Sequence, residues 1–531
     1  MSNQGASAKN LELKKSNSLE KCLIPYGVLE TRRDTERRLM VLGTLHQVWR
    51  QWVREESLRK GLSVLEAESV GGNVFPFGSY RLGVHFGGHN ADIDAVCVAP
   101  RHIERSDFFG SFYDMLQGHP KVTHLRTTEN DGVPLIRLKF DGVRLNLPFA
   151  RLDLSAVPES VDLRDTATMK NLDPMCERSL HGCRVTDEIL RLVPNFRNFR
   201  LTLRAIKLWA KRRRVYSKVM GFIGFETLAM LVAYTCLQYP DALPATLVHT
   251  FFRTFSEWKW PQPVVISPPT TDSLSPFIQD PTTDSFKLDP SIMPVYPEFN
   301  TCGSTRAVVM KELKLGLAIT NDVWQDKCEW DALFKAPKFF SCYKQYVVVD
   351  VSSASPDDQF LCSEFVETKI RSFIETLDSI PYLTAVHANP TCYDSVLQNT
   401  NNATWFIGLA FDEARPDFNL SPEIRRFSTT LNYEAFQLNL LQKGMRTEVR
   451  LLQRHELHQY TPTDFWRYSS VLNDNSSNPP ATRKRRKRTK RRSQTSLTNG
   501  NSCKKQKTSA PATIKLQINI SILPLPSTDR S

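Results

Sequence analysis

The sequence lacks a long apolar run and lacks paired cysteines. No window of its 531 residues approaches the roughly 20 consecutive apolar residues that a membrane-spanning helix needs. The first fifteen residues are polar and contain no apolar core of the kind that directs export. The eleven cysteines are scattered and include no Cys-x-x-Cys pair, which argues against a zinc site and a disulfide framework. We therefore expect a protein that stays inside the cell, contacts no membrane and keeps its thiols reduced.

The chain carries excess positive charge, and most of it lies in one short segment. The formal net charge is +13 at pH 7, and nine of the ten residues from Arg483 to Arg492 are basic. Without those nine charges, the rest of the chain has a net charge of +4. The body of the protein is therefore only mildly basic. The basic segment is either a nuclear-import signal or an arm that contacts RNA phosphates.

A glycine-flanked turn followed by two acids has the pattern of half a phosphoryl-transfer site. Gly78 lets backbone N–H groups approach an anion, and Ser79 adds a hydroxyl donor. Asp92 and Asp94 have strand spacing, so both carboxylates leave one face and can hold hard cations such as a pair of Mg²⁺ ions. An Asp-x-Asp pair alone is more often a solvated strand edge, but the preceding turn favours the functional interpretation. Chemistry of this kind usually needs a third carboxylate from elsewhere.

Apolar periodicity predicts three folded units, which the length allows. Two strands near residues 133–149 are joined by a turn at Asp141-Gly142, because this dipeptide favours positive backbone angles. A helix over 196–216 has an apolar side and a basic side, and the basic side is either a solvated face or a phosphate-binding one. A strand, a helix and a strand follow over 346–411, as in a small α+β domain. Beyond residue 468 the composition predicts disorder.

Several segments, in order, closely resemble eukaryotic nuclear poly(A) polymerases. They are Phe77-Gly-Ser-Tyr-Arg-Leu-Gly-Val-His85, Ala91-Asp-Ile-Asp-Ala95, Ala99-Pro-Arg-His102, Phe149-Ala-Arg-Leu152, Gly182 to Leu190 and Asn198 to Lys211. The resemblance implies an α+β multidomain fold with a polymerase-beta-like nucleotidyltransferase domain. Before the catalytic domain over 61–155, we expect a flexible leader over 1–24 and a helical segment over 25–60 that packs with the middle domain. After it, we expect a helical middle domain over 156–333 and an RNA-binding domain over 334–468 that is like an RNA-recognition motif. A disordered basic tail over 469–531 ends the sequence.

The resemblance also implies an activity and a location. The reaction is template-independent transfer of AMP from ATP to RNA 3′ ends in mRNA 3′-end processing, with Mg²⁺ or Mn²⁺. The implied partners are the RNA 3′ end, mRNA 3′-end processing factors and a nuclear import receptor, and we expect a monomer located in the nucleus. The import signal would consist of Arg483, Lys484, Arg485, Arg486, Lys487, Arg488, Lys490, Arg491 and Arg492.

Carried over position by position, the resemblance assigns roles to individual residues. Asp92 and Asp94 match the first two metal-binding acids of the family. The remaining matches are with nucleotide-binding positions: Phe77, Gly78 and Ser79 for the phosphate turn, Lys207 for a triphosphate contact and Tyr216 for a nucleotide contact.

The same pocket contains four departures from the family pattern. Asn146 stands where the third acid is expected, and it brings no negative charge, although its carbonyl oxygen can serve as a weak metal ligand. His181 replaces an asparagine at the nucleotide site. Phe225 and Glu226 replace a glycine and a valine, which adds bulk and a carboxylate near the triphosphate. The link over 86–90 is two residues longer and lacks a lysine.

The sequence leaves two functions open. In one, the chain is a poly(A) polymerase with weakened activity, in which Asp92, Asp94 and Asn146 form the catalytic and metal-binding set. In the other, it is a catalytically inactive relative that keeps RNA or processing-factor binding.

Overall fold

The computed structural model describes most of the chain up to residue 459. The described ranges are 2–87, 92–130, 132–165, 167–266, 293–295, 302–393, 401–412, 419–441 and 444–459. All structural statements below refer to these residues, which form one compact unit. The predicted disordered tail with its basic segment lies outside them, as does most of the link over 86–90. None of the described helices is both long and apolar enough to cross a membrane.

Three helices precede the catalytic sheet, and the first corrects the expected flexible leader. They are α1 (Ser2–Leu23), α2 (Arg32–Arg59) and α3 (Val64–Ser69). In α1, Leu19 and Leu23 are buried in the core of the middle domain. The Lys15 side chain is also buried, and its Nζ donates to the carbonyl oxygen of Val323 at 2.5 Å. The sequence predicts a flexible leader over 1–24 because most of these residues are polar. The few positions that face the core do not stand out in the sequence.

Within residues 25–60, which were expected to pack with the middle domain, helix α2 packs on the catalytic sheet, whereas Val28 is buried in the core of the middle domain. Trp49 and Trp52 are fully buried with Phe112 and the strand residues of the catalytic domain. The Trp49 indole Nε1 donates to the carbonyl oxygen of Val98 at 3.3 Å. The apolar stripe of the helix was readable from its spacing, but the element that it faces was not.

The catalytic domain is built on a five-stranded sheet. Its strands are β1 (Asn73–Phe77), β2 (Ile93–Ala99), β3 (Val122–Asn130), β4 (Val133–Phe140) and β5 (Val143–Arg151), and short helices α4 (Gly78–Arg81), α5 (Arg105–Asp107) and α6 (Tyr113–Gln117) lie between them. The strand order is β1-β2-β5-β4-β3, and only the β2–β5 pair is parallel. Asp141 and Gly142 have φ values of 48° and 75°, which confirms the predicted hairpin turn.

The middle domain is helical, as expected. It contains α7 (Pro174–Leu192), α8 (Phe196–Arg212), α9 (Phe225–Gln238), α10 (Pro244–Glu257) and α11 (Gly303–Trp324), with a two-stranded sheet of β6 (Val264–Ile266) and β7 (Met293–Val295). The apolar stripe predicted on α8 is fully buried at Phe199, Leu203, Ile206 and Ala210. The helix ends at Arg212, four residues before the predicted end.

The third domain has the predicted alternation of strands and helices. Its elements are α12 (Phe339–Cys342), β8 (Gln345–Ser353), α13 (Pro356–Asp378), β9 (Leu383–Ala388), β10 (Asn401–Phe411), α14 (Ser421–Gln437) and β11 (Arg446–Gln453). The strands form an antiparallel sheet in the order β11-β8-β10-β9. Phe340 and Tyr393 pack on Phe406 of this sheet, with ring centroids 5.0 and 5.5 Å away. These aromatic side chains therefore belong to the core of the domain.

We predict that Leu19→Ala lowers the free energy of unfolding by about 3 kcal/mol, because it leaves a cavity in a packed core. Leu13→Ala on the same helix is the matched control, since Leu13 is 50% exposed and should cost far less. Urea unfolding of both variants measures the difference. Equal, small losses would contradict the packing of α1 and restore the flexible leader.

Candidate active site

The glycine turn and the acid pair lie side by side, as the sequence predicted. Phe77, the last residue of β1, is directly opposite Asp94 on β2. Gly78 follows with a φ of +63°, and a Cβ there would lie 3.5 Å from Oδ2 of Asp94. The carbonyl oxygen of Ser79 accepts from the backbone N–H groups of Val84 and His85, which closes the turn. The turn therefore presents backbone, with no side chain at Gly78, to the second acid.

The basic side of α8 holds this turn in place. The side chains of Arg200, Arg204 and Lys207 donate to the carbonyl oxygens of the three consecutive residues Leu82, Gly83 and Val84, at 2.9, 2.6 and 3.3 Å. Residues at steps of three and four lie on the same side of a helix, so these three side chains reach the same loop. The basic stripe is thus neither a solvated face nor entirely available to phosphate. At these three positions it anchors the loop behind the glycine turn.

Both acids of the pair are already bonded to donors from β5. Nε of Arg144 lies 2.5 Å from Oδ1 of Asp92, and Nδ2 of Asn146 donates to Oδ1 of Asp94 at 2.7 Å. The parallel register places Asp94 opposite Asn146, and Arg144 projects from the same face two residues earlier. Burial raises the pKa of the Asp94 carboxyl above its usual value, the neighbouring Asp92 adds to this, and the bond from Asn146 opposes it.

The Asn146 amide has its carbonyl oxygen turned away from Asp94. Nε of Arg137 on β4 donates to Oδ1 of Asn146 at 3.1 Å. An exchange of the amide oxygen and nitrogen would set a donor against Arg137 and an acceptor against a carboxylate, so the hydrogen-bond network fixes the orientation. The metal-ligand role of Asn146 stays a prediction, and it requires this amide to rotate away from Arg137.

The donor set fits one cation better than two. Among the described residues, no group of three or more His, Cys, Asp and Glu side chains is arranged to hold a metal ion. Asp92 and Asp94 supply carboxylate oxygens suited to Mg²⁺ or Mn²⁺, but Arg144 already neutralises the first of them. A single cation fits between the two acids if Arg144 withdraws.

The buried Lys207, the exposed Lys211 and three aromatic rings form the wall beside the acids. Nζ of Lys207 lies 5.0 Å from the ring centroid of Phe86 and 4.9 Å from that of Phe225. Nζ of Lys211 lies 5.0 Å from Phe86 and 5.4 Å from Tyr216. The pKa of Lys207 is lowered to about 7, chiefly by burial and also by the charge of Lys211, while Asp94 opposes the shift. Burial likewise lowers the pKa of Lys211. A cation held dry among aromatic faces suits an anionic ligand that carries a base.

The two departures at His181 and Glu226 pair with each other. Nε2 of His181 lies 2.8 Å from Oε1 of Glu226. The bond to Glu226 raises the pKa of His181 above its usual value although burial opposes this. Burial acts to raise the pKa of Glu226, but the bond and the charge of His181 lower it overall. The carboxylate that was expected to repel a triphosphate is therefore balanced within the protein.

Family comparisons agree with this arrangement along most of the described chain. Residues 4–193 match the family model described as the poly(A) polymerase nucleotidyltransferase domain, residues 198–336 match the poly(A) polymerase central domain, and residues 338–404 match the poly(A) polymerase predicted RNA binding domain. The chain belongs to the poly(A) polymerase family. The predicted fold class is thereby confirmed for the nucleotidyltransferase, helical and RNA-binding domains of this poly(A) polymerase family member.

Individual relatives match only in part. A protein of Dictyostelium discoideum named Poly(A) polymerase is 38% identical over 418 residues, which cover 77% of this chain and 51% of that protein. Nuclear poly(A) polymerase 1 of Arabidopsis thaliana is 38% identical over 462 residues, which cover 84% of this chain and 63% of that protein. The chain thus spans less than two thirds of these relatives. The solved structure of a cytoplasmic RNA terminal U-transferase aligns at 14% identity with a TM-score of 0.39, over 60% of this chain and 99% of that chain. This similarity is too low to support a conclusion about the present chain.

A polar row that sequence reasoning missed crosses the sheet behind the site. Arg126 of β3 lies opposite Arg137 of β4, which lies opposite Asn146. Glu364 of α13, in the RNA-binding domain, forms ion pairs with both arginines, at 3.5 Å from Nη2 of Arg126. Strand parity could have placed Arg137 and Arg144 on the face of the acids. Nothing in the sequence marks Glu364, because it is more than 200 residues away from these strands.

We predict that the His181–Glu226 pair stabilises the fold most between pH 4.5 and pH 6.5, the usual pKa values of the two groups. A raised His pKa gives stability that is present below pH 6.5 and is lost as the pH rises through the raised value. A lowered Glu pKa gives stability that is present above pH 4.5 and is lost as the pH falls. His181→Asn should therefore cost about 0.5 kcal/mol at pH 5.5 and less at pH 9, since the pair is half-exposed. Chemical denaturation at both pH values measures this, and an equal cost at both would refute it.

We predict that Glu364→Gln destabilises the protein by about 1 kcal/mol, because two arginines then face each other without a counter-charge. Glu375→Gln is the matched control, since Glu375 lies on the same helix in an ordinary i,i+4 pair with Arg371. Thermal unfolding compares the two variants. If both variants lose the same small amount of stability, Glu364 is not needed to stabilise the pair of arginines.

Proposed function

We propose that this chain transfers AMP from ATP to RNA 3′ ends without a template, more slowly than a poly(A) polymerase with three acids. The observation that carries this proposal is the meeting of the Gly78 turn, the Asp92–Asp94 pair and the buried Lys207 at one end of the β2 strand. The family relationship supports a nucleotidyltransferase reaction. The relatives' names support adenylate as the transferred group.

The residues divide into a nucleotide side and an attacking side. On the nucleotide side, the Ser79 hydroxyl would donate to a phosphate oxygen and Lys207 would neutralise the phosphate, while the backbone N–H of Gly78 is held by Oγ1 of Thr186. The rings of Tyr216 and Phe225 would pack against the base, with His181 and Glu226 at the edge of the same pocket. Mg²⁺ or Mn²⁺ held by Asp92 and Asp94 would offset the developing negative charge during transfer. On the attacking side, Asn146 supplies no charge, so the 3′-hydroxyl is poorly activated.

The setting of this reaction is also a proposal. The RNA-binding domain would hold the RNA 3′ end, and processing factors would direct the chain to mRNA. The segment from Arg483 to Arg492 would bind a nuclear import receptor and place a monomeric protein in the nucleus.

A second candidate is a catalytically inactive relative that keeps RNA or processing-factor binding. It is favoured by the donors already bound to both acids, Arg144 on Asp92 and Asn146 on Asp94. A primer-extension assay on an oligoadenylate RNA, with Mg²⁺ and then Mn²⁺ and with each of the four nucleoside triphosphates, separates the candidates. Robust tailing with ATP supports the enzyme. RNA binding without extension supports the binding protein, and extension with another nucleotide would replace adenylate as the substrate.

We predict that Asn146→Asp raises adenylate incorporation about tenfold, because a carboxylate opposite Asp94 restores the missing charge on the attacking side. Asn146→Ala is the control, since it removes the amide without adding charge and should not raise the rate. Primer extension at saturating ATP measures both. No gain in a folded protein that binds ATP would shift the cause of slow transfer to His181, Phe225 and Glu226.

A further inference from the structure

We propose that Arg144 acts as a built-in cation at Asp92, so that this site binds a nucleoside triphosphate without a divalent cation. The inference rests on the proposed nucleotide site but goes beyond it. It assigns to an arginine the neutralising role that a metal ion has at an aspartate pair.

The position of Arg144 is set by the backbone as well as by its rotamer. The parallel β2–β5 register fixes Asn146 opposite Asp94, so the side chain two residues earlier on β5 lies beside Asp92. The resulting 2.5 Å contact between Nε and Oδ1 is a charge-assisted hydrogen bond. Both side chains are more than one third exposed, at 35% and 41%, so the pair faces the pocket and not the core.

Cationic side chains already face both acids. Asp92 and Asp94 are met by Arg144, Lys207 and Lys211, while His181 and Glu226 balance each other. In a two-metal site the cations offset both the carboxylates and the triphosphate. Here the guanidinium offsets Asp92, and the lysines remain for the triphosphate.

A divalent cation therefore gains little binding free energy at Asp92 and Asp94. To reach Asp92 it must displace a charged hydrogen-bond partner in addition to losing part of its own hydration. In addition, Asp94 is bonded to the amide nitrogen of Asn146, and no carboxylate stands at that position to bind the cation. The geometry therefore favours triphosphate binding that is nearly independent of Mg²⁺.

The test compares the dissociation constant for ATP in EDTA with that in Mg²⁺, by isothermal titration calorimetry on the full chain. For the unaltered protein we expect the two constants to agree within about threefold. Arg144→Gln exposes Asp92 to the triphosphate, so binding in EDTA should weaken by about tenfold or more while Mg²⁺ restores it. Arg144→Lys keeps the positive charge and should behave like the unaltered protein.

The matched control is Arg151→Gln on the same strand. Arg151 also lies 2.5 Å from a carboxylate, Oε1 of Glu104, and is 36% exposed, but it is seven residues away from Arg144. Its substitution should leave the ratio of the two constants unchanged. A second readout needs no nucleotide: electron paramagnetic resonance of free Mn²⁺ should show tighter Mn²⁺ binding by Arg144→Gln than by the unaltered protein.

The outcomes separate this inference from the proposed function. If the unaltered protein binds ATP only with Mg²⁺, or if Arg144→Gln leaves both the EDTA-to-Mg²⁺ ratio and Mn²⁺ binding unchanged, the inference fails and the proposed nucleotide site stands. If ATP binds under no condition, the nucleotide site itself fails and the inference falls with it. Thermal unfolding confirms that each variant is folded before it is compared.

Discussion

The parallel pairing of β2 with β5 is the constraint on which the site depends. It joins the strand that carries the acids to the strand that carries Arg144 and Asn146, and it sets each acid beside one of them. A shift by one residue would turn all of these side chains to the opposite face of the sheet. Because α2 packs Trp49 and Trp52 against the same sheet, such a shift would also expose the core of the catalytic domain. The packing of the catalytic domain thus fixes the strand register, and the register fixes which side chains lie beside the two acids.

Charges in and behind the site occur in compensating sets. Asn146 is bonded to Arg137, which pairs with Glu364, while Glu226 pairs with His181. A partly buried charge without a partner costs several kcal/mol, so an altered site survives only when its new charges are matched. These pairings are consistent with the family scaffold that the chain keeps. They also link the catalytic sheet to the RNA-binding domain through one carboxylate.

The sequence predicted local and periodic features better than partners. The hairpin at Asp141-Gly142 and the closeness of Gly78 to Asp94 follow from turn chemistry and strand parity, which are properties of short segments. The packing of α1 and the sheet partner of α2 depend on which surfaces meet in three dimensions. The bond from Arg137 to Asn146 was only half predictable. Strand parity predicts the face of the sheet on which Arg137 lies, but only the observed strand order shows that Asn146 is beside it. The resemblance to the family pointed to this pocket, but only the structure shows that His181 and Glu226 pair with each other.

An arginine and a metal ion do not supply the same chemistry at an aspartate pair. Both neutralise carboxylates and so allow a triphosphate to approach. Only the metal ion also binds an attacking oxygen and lowers the pKa of its proton, because a guanidinium has no open coordination position. A site in which Arg144 occupies Asp92 can therefore hold a nucleotide well and still transfer it slowly. On the proposed function, an uncharged Asn146 and a guanidinium at Asp92 would have the same effect, since each would preserve the nucleotide side of the pocket and limit the attacking side.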